Sequence, residues 1–331
     1  MTNHITVATH GQRISRFGLA FALGVVGYVL AVNLLYLYLL GSLSDFFTPG
    51  NLKWILFFAG FICACALYRL HRLSGDGANV AQWMGGRLVV LEPREERLRR
   101  CRNVATEVAI AAAIPMPRLF VLESDHRINA FAAGTLEEGV AICVSAGALE
   151  KLDRYELQGV VAHEMAHLRH DDARVSRLLA SGIFGLVCIA AVGGLLAWVG
   201  GKAAGTGAKE GLGGGLVLAL AGLVVLLIGS AGWLAAALLD AATSREMELR
   251  ADADAVRMLS DSSGLVGALV KLGVEAHQFP EEAWDWIKGR NPMYFNASVK
   301  RYWFDTHPPL FDRIQALDPG KAAELRTRMG G

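Results

Sequence analysis

Two imidazoles and a carboxylate stand at helical spacing in His163-Glu164-Met165-Ala166-His167. Residues four apart share a helix face, so both histidines can reach one Zn2+, while Glu164 projects beside the metal where a water would lie. This suits metal-assisted hydrolysis, with Glu164 taking a proton from water as general base and returning it to a leaving amine. A catalytic zinc takes a third protein ligand and leaves one position open. His170 is nearest in sequence, but it stands seven residues beyond His163, about 10 Å along a helix axis. It cannot share the ion unless the helix breaks, and reads as a surface residue or a support for a ligand. The third ligand must come from elsewhere. Ser244-Arg245-Glu246-Met247-Glu248-Leu249-Arg250-Ala251-Asp252-Ala253-Asp254 reads as a second helix. Glu248 and Asp252 are one turn apart, as expected for a carboxylate ligand and a carboxylate that orients a ligand imidazole. Spacing alone leaves Glu246 and Glu248 even, and a solvated face with Glu246–Arg250 and Arg250–Asp254 pairs is the competing reading.

The helix bearing the histidines should begin at Asp153-Arg154-Tyr155-Glu156, which has capping-box spacing. Leu157, Val160, Val161 and Leu168 give it an apolar side. Upstream, Pro93 to Ile114 reads as an amphipathic helix ending before Pro115 and Pro117. Arg118–Leu122 and Gly139–Val144 read as strands joined by a linker, Glu123 to Glu138, that contains Asn129-Ala130-Phe131-Ala132-Ala133-Gly134. Pro308 and Pro309 mark another helix start.

The remaining chain is unusually apolar: of 331 residues, 53% are hydrophobic and 19% charged, against about 45–50% and about 25% in soluble domains. A net charge of +1, from 32 basic and 31 acidic residues, provides no field to steer a polyanion, so no nucleic-acid partner is expected. The apolar excess sits in four uncharged runs, at Phe17–Ser44, Trp54–Tyr68, Leu178–Gly201 and Gly211–Leu239; a bilayer crossing takes about 20 residues. The second run is short, but Lys53 and Arg69 can snorkel at its ends. The last two form a helical hairpin around a turn with Lys202, Lys209 and Glu210. The first run is too long for a signal-peptide core and reads as a retained anchor. Arginines following the second run (Arg69, Arg72, Arg87, Arg94, Arg97, Arg99, Arg100, Arg102) put that flank in the cytoplasm. The five cysteines, Cys63, Cys65, Cys101, Cys143 and Cys188, form no disulfide framework or zinc-site pattern.

The expected fold is therefore a mainly α, multi-pass membrane protein, with about four transmembrane helices and a cytoplasmic α+β domain holding a small sheet. Residues 1–16 form a cytoplasmic N-terminus, 17–69 the first two spans, 70–177 the first part of the catalytic domain, 178–239 the hairpin and 240–331 the second part. If Glu248 and the histidines bind one ion, an even number of crossings must separate them. A transporter would carry ionisable groups within its spans, and these runs have none.

Residues from about 115 to 318 resemble the HtpX and type I CAAX prenyl protease family of integral-membrane zinc metallopeptidases, HtpX more than the larger prenyl proteases. The resemblance rests on His163-Glu164-x-x-His167, on Ser244-Arg245-x-x-Glu248-x-x-x-Asp252, on Asn129 to Gly134, and on Thr306-His307-Pro308-Pro309 with Ile314. It implies a gluzincin-type protease domain at the cytoplasmic face of a bacterial inner membrane, with one Zn2+ per chain. It implies Glu248 as third ligand, Asp252 as its outer partner, and His307 and Arg313 as donors to the scissile carbonyl. Asn129, Ala130 and Phe131 become substrate contacts on a sheet edge or loop that pairs with extended peptide. Read from the residues alone, His307 is as well a cap or surface residue, Arg313 a solvated charge, and Phe131 a core residue of an ordinary connection. The implied substrates are damaged or unassembled membrane proteins, with prenylated C-terminal peptides the lesser option. His170 stands where relatives often have Asn, ahead of the matching Asp172, and Ala133 where they often have Thr. A zinc-binding membrane scaffold that does not cut would share every motif.

Overall fold

The computed structural model describes residues 48–205, 209–276 and 308–328; the apolar run at 17–44 and His307 lie outside the described residues. In chain order the elements are α1 (Pro49–Leu73), α2 (Gly77–Trp83), β1 (Arg87–Leu88), α3 (Glu96–Ala112), β2 (Arg118–Leu122), β3 (Ala130–Thr135), β4 (Gly139–Ser145), α4 (Ala146–Lys151) and α5 (Arg154–His170). They continue with α6 (Asp172–Ala204), α7 (Lys209–Leu259), α8 (Ser263–Ala276), α9 (Leu310–Leu317) and α10 (Pro319–Arg328). The chain divides into two compact units, residues 1–73 with 177–239, and residues 74–176 with 240–331.

The first unit holds apolar helix. Among the described residues three helices are long and apolar enough to cross a membrane, at Leu56–Leu73 within α1, in α6, and in α7. The 15-residue run at 54–68 is extended by its flanks, because α1 continues through 25 residues. The uncharged parts of α6 and α7 approach closely enough for backbones to touch. A Cβ on Gly193 would lie 2.2 Å from Leu226 N, and one on Gly222 2.2 Å from Ala197 N. Small residues at such contacts allow close helix packing where no hydrophobic driving force exists.

The second unit is built on a four-stranded sheet of order β1-β2-β4-β3, in which β2 and β4 are parallel and the other pairs antiparallel. Alternate residues of a strand face opposite sides. Leu119, Val121, Ala130, Ile142 and Val144 accordingly join the main core with α3, α5 and α8. Phe120, Leu122, Phe131, Ala133, Ala141 and Cys143 form a smaller core with Ala78 and Ala81 of α2. The expected linker thus contains a strand, β3, which forms an edge of the sheet.

α3 ends at Ala113, whose backbone is left-handed at φ 54°, just before Ile114-Pro115. α5 begins with the expected capping box: Asp153 accepts the N–H of Glu156, and Glu156 accepts that of Asp153. It stops at Asp171, left-handed at φ 56°, a conformation that short polar Asp tolerates better than most residues. The chain turns there, so that Asp172, which opens α6, reaches back toward His167.

Candidate metal centre

On α5, His163 and His167 present Nε2 atoms 3.1 Å apart, with their rings edge to face. Glu248 of α7 reaches both: one carboxylate oxygen lies 3.4 Å from His163 Nε2, the other 3.6 Å from His167 Nε2. Ligand atoms around a tetrahedral zinc at about 2.0–2.1 Å stand roughly 3.3 Å apart, so two nitrogens and a carboxylate at these separations fit the ion. The three residues are the only group of this kind among the described residues. Glu246, even with Glu248 on spacing, is exposed, whereas Glu248 is buried.

The other ring nitrogens are held by carboxylates. His163 Nδ1 lies 2.9 Å from Asp252 and His167 Nδ1 2.8 Å from Asp172. Such bonds fix ring orientation and aim each Nε2 lone pair at the metal. Each carboxylate is anchored in turn. Arg313 of α9 grips Asp252 with two bonds of 2.7 and 2.6 Å and places Nη1 3.2 Å from Glu248. Arg250 pairs with Asp172. Burial raises the Asp252 carboxyl, but the charge of Arg313 and the bond to His163 outweigh it and hold the pKa down to about 2. Burial works against a charged His167, yet Asp172 and Glu248 prevail and lift it to about 10; His163 moves the same way beside Asp252 and Glu248. Metal binding here must displace protons.

Glu164 is buried, and burial raises its carboxyl above the ordinary value, opposed by the two histidines and by a bond from the Ala132 backbone N–H. A carboxylate base shifted in this direction is better matched to neutral pH. The bond to Ala132 also ties Glu164 to the edge strand β3.

Several expectations need correction. Arg313 is 0% exposed, so the solvated reading fails, and its guanidinium faces Asp252 and Glu248 as a positioning group. Arg250 turns to Asp172 instead of forming the pairs with Glu246 and Asp254, while Asp254 engages His170 and Arg257. Phe131 lies in the core on the α2 side of the sheet, leaving only its backbone for the edge. Ala130 is buried on the opposite face. Asn129 is buried too; its amide donates to Asp125 at 3.0 Å, and its Oδ1 has no hydrogen-bond partner among the described residues. Asp172 supports His167 from five residues further on, beyond the turn at Asp171, a spacing that helical periodicity alone does not mark.

A model of peptidase family M48 matches residues 95–320. The chain is 30% identical over 225 residues to the Protease HtpX homolog of Streptococcus gordonii, covering 67% of this chain and 74% of that one. It is 31% identical over 222 residues to the protein of that name from Streptococcus uberis, covering 65% and 71%. The counterpart in Streptococcus mutans is 32% identical over 222 residues, covering 65% and 72%. Among solved structures, S. mikatae Ste24p aligns with a TM-score of 0.45 and 16% identity, covering 94% of this chain and 66% of that one, just under two thirds.

Proposed function

The chain belongs to peptidase family M48, and from that premise we propose that it is a zinc endopeptidase of the bacterial inner membrane, cutting damaged or misassembled membrane proteins at the cytoplasmic face. The observation that carries this reading is the convergence of His163, His167 and Glu248 on one point beside buried Glu164. Zinc, when bound by these three side chains, supplies the Lewis acidity that polarises a carbonyl and makes water nucleophilic near neutral pH. Glu164, buried beside the three candidate ligands, would take a proton from water and return it to the leaving amine. Asp252 and Asp172 hold the imidazoles in register, and Arg313 keeps Asp252 ionised.

An extended substrate is the reading suggested by the edge position of β3, where Ala132 and Gly134 are partly exposed, because peptides commonly add to sheet edges through main-chain hydrogen bonds. Folded proteins rarely offer extended main chain, whereas damaged or unassembled ones do. His307 and Asn129 remain proposed contacts, His307 on the resemblance of its motif alone.

The test is cleavage of candidate membrane proteins in detergent by the parent and by Glu164→Gln, each loaded with zinc. Removing a general base lowers the rate by about 100- to 10,000-fold, and the variant should keep its zinc by elemental analysis. A Glu164→Gln protein with parental activity overturns the base assignment. A zinc-loaded parent that cuts nothing favours the scaffold reading.

A further inference from the structure

In the described part of the second unit, the exposed large apolar side chains Ile110, Leu136, Tyr155 and Leu249 stand singly, one to an element or turn. Apolar residues scattered in this way on a surface need no partner. Trp83, Leu88, Val90 and Leu91 differ: all four fall between positions 83 and 91, and Trp83 and Leu91 are 75% and 77% exposed.

Register puts three of them on one side. Leu88 stands opposite Phe120 in the β1–β2 pair, and residues directly opposite share a face, so Leu88 lies on the side where Phe120 packs with Ala78 and Ala81 of α2. Val89, whose N–H bonds to the Leu119 carbonyl at 2.8 Å, turns to the main core, which returns Val90 to the α2 side. Trp83 is the last residue of α2. The result is an apolar rim at the outer margin of the sheet.

Chain and charge point to what covers this rim. Only Ser74, Gly75 and Asp76 separate α2 from α1, a helix long and apolar enough to cross a membrane, so no more than about 25 Å of chain ties Trp83 to the end of that helix. From Arg69 to Arg102 there are eight arginines against four acidic residues, Asp76, Glu92, Glu95 and Glu96. Arg87 is held by Glu95 and Glu123. Arg94 and Arg99 are exposed beside the rim in sequence, and Arg99 donates to the Arg94 carbonyl at 2.9 Å, which keeps the two together. Tryptophan settles at the level of lipid headgroups, and an arginine excess favours an anionic leaflet.

We infer that Trp83, Leu88, Val90 and Leu91 form a membrane-contact surface, seated in the headgroup layer of an anionic leaflet with Arg94 and Arg99 on its phosphates. This rests on reading α1 as a span. The contact attaches the second unit to the lipid surface directly, in addition to its covalent links to the spans.

The experiment reconstitutes the full chain in vesicles of phosphatidylcholine and phosphatidylglycerol in equal parts, with acyl chains brominated near the headgroup as tryptophan quenchers. The emission of Trp83, taken as the difference between the parent and Trp83→Phe, should be mostly lost. It should return in Leu91→Asp, in Arg94→Gln/Arg99→Gln, and in vesicles of phosphatidylcholine alone. Trp198 of α6 and Trp233 of α7 report insertion, through quenching by lipid brominated deep in its chains. Unquenched Trp83 in a protein whose Trp198 and Trp233 are quenched overturns the inference, and a blue-shifted emission in that case shows that a segment of this chain covers the rim instead. Quenching of Trp83 that is the same without phosphatidylglycerol and without the two arginines overturns the anionic partner. Absence of quenching at every tryptophan overturns the membrane reading of the spans themselves.

Discussion

A guanidinium with no solvent exposure is stable only where its charge is matched, and Arg313 is matched twice, by Asp252 and by Glu248. The benefit runs outward to the candidate ligands: Arg313 fixes Asp252, Asp252 fixes the His163 ring, and the ring turns Nε2 toward Glu248 and His167. Removing one member of a buried pair costs about 3–5 kcal/mol, because the other charge is left uncompensated. Arg313→Ala should therefore lower both the melting temperature in detergent and the zinc content, far beyond Arg257→Ala, whose side chain is 72% exposed. Arg313→Lys should not rescue it, since a single ammonium cannot grip both oxygens of Asp252 as a planar fork does. Equal melting temperatures for Arg313→Ala and Arg257→Ala would remove Arg313 from the centre. Spacing brought the His163/His167 pair into view and reduced the third ligand to two candidates. It could not reveal Arg313 as buried, because its partner Asp252 stands 61 residues away and pairing across such a distance leaves no periodic trace.

Between elements, one close fit is in the helical hairpin, where Gly222 and Gly193 bring α6 and α7 into backbone contact. A side chain at either point has to push the helices apart, and overpacking of this kind costs about 1–3 kcal/mol. Gly222→Leu should lower the melting temperature and expose the hairpin to protease. Gly201→Leu, at a position with nothing within 4 Å of its built Cβ, should do neither; identical behaviour of the two would show that the contact does not hold the hairpin. The helices were legible in the sequence because their signals are local: uncharged length for α6 and α7, and capping residues at Asp153 and Glu156 for α5. β2 and β4 were legible as short apolar runs bounded by turn residues. β3 was not, since Ala130 to Thr135 is mostly small residues of weak strand preference. Its extended form depends on pairing with β4 and on Phe131 packing toward α2, neither of which is local in sequence.

At the scale of the whole chain, the candidate metal ligands come from both sides of the apolar stretch 178–239: His163 and His167 precede it, and Glu248 follows. A site assembled from these three requires the chain to return to the side from which it left, so the stretch crosses an even number of times or not at all. Its length and the close contact of α6 with α7 favour two crossings, since each uncharged run exceeds the roughly 20 residues that a bilayer needs. Charge gives the direction. Eight arginines lie between Arg69 and Arg102, whereas the turn offers Lys202 and Lys209 against Glu210, and cytoplasmic flanks carry the positive excess. The layout is tested with an epitope tag at Gly205 and another at Gly75 in separate full-length proteins, probed on spheroplasts with an antibody that cannot enter. The Gly205 tag should be labelled on intact spheroplasts and the Gly75 tag only after permeabilisation. Protection of both tags would mean that the hairpin does not cross, and that its apolar surface is buried some other way.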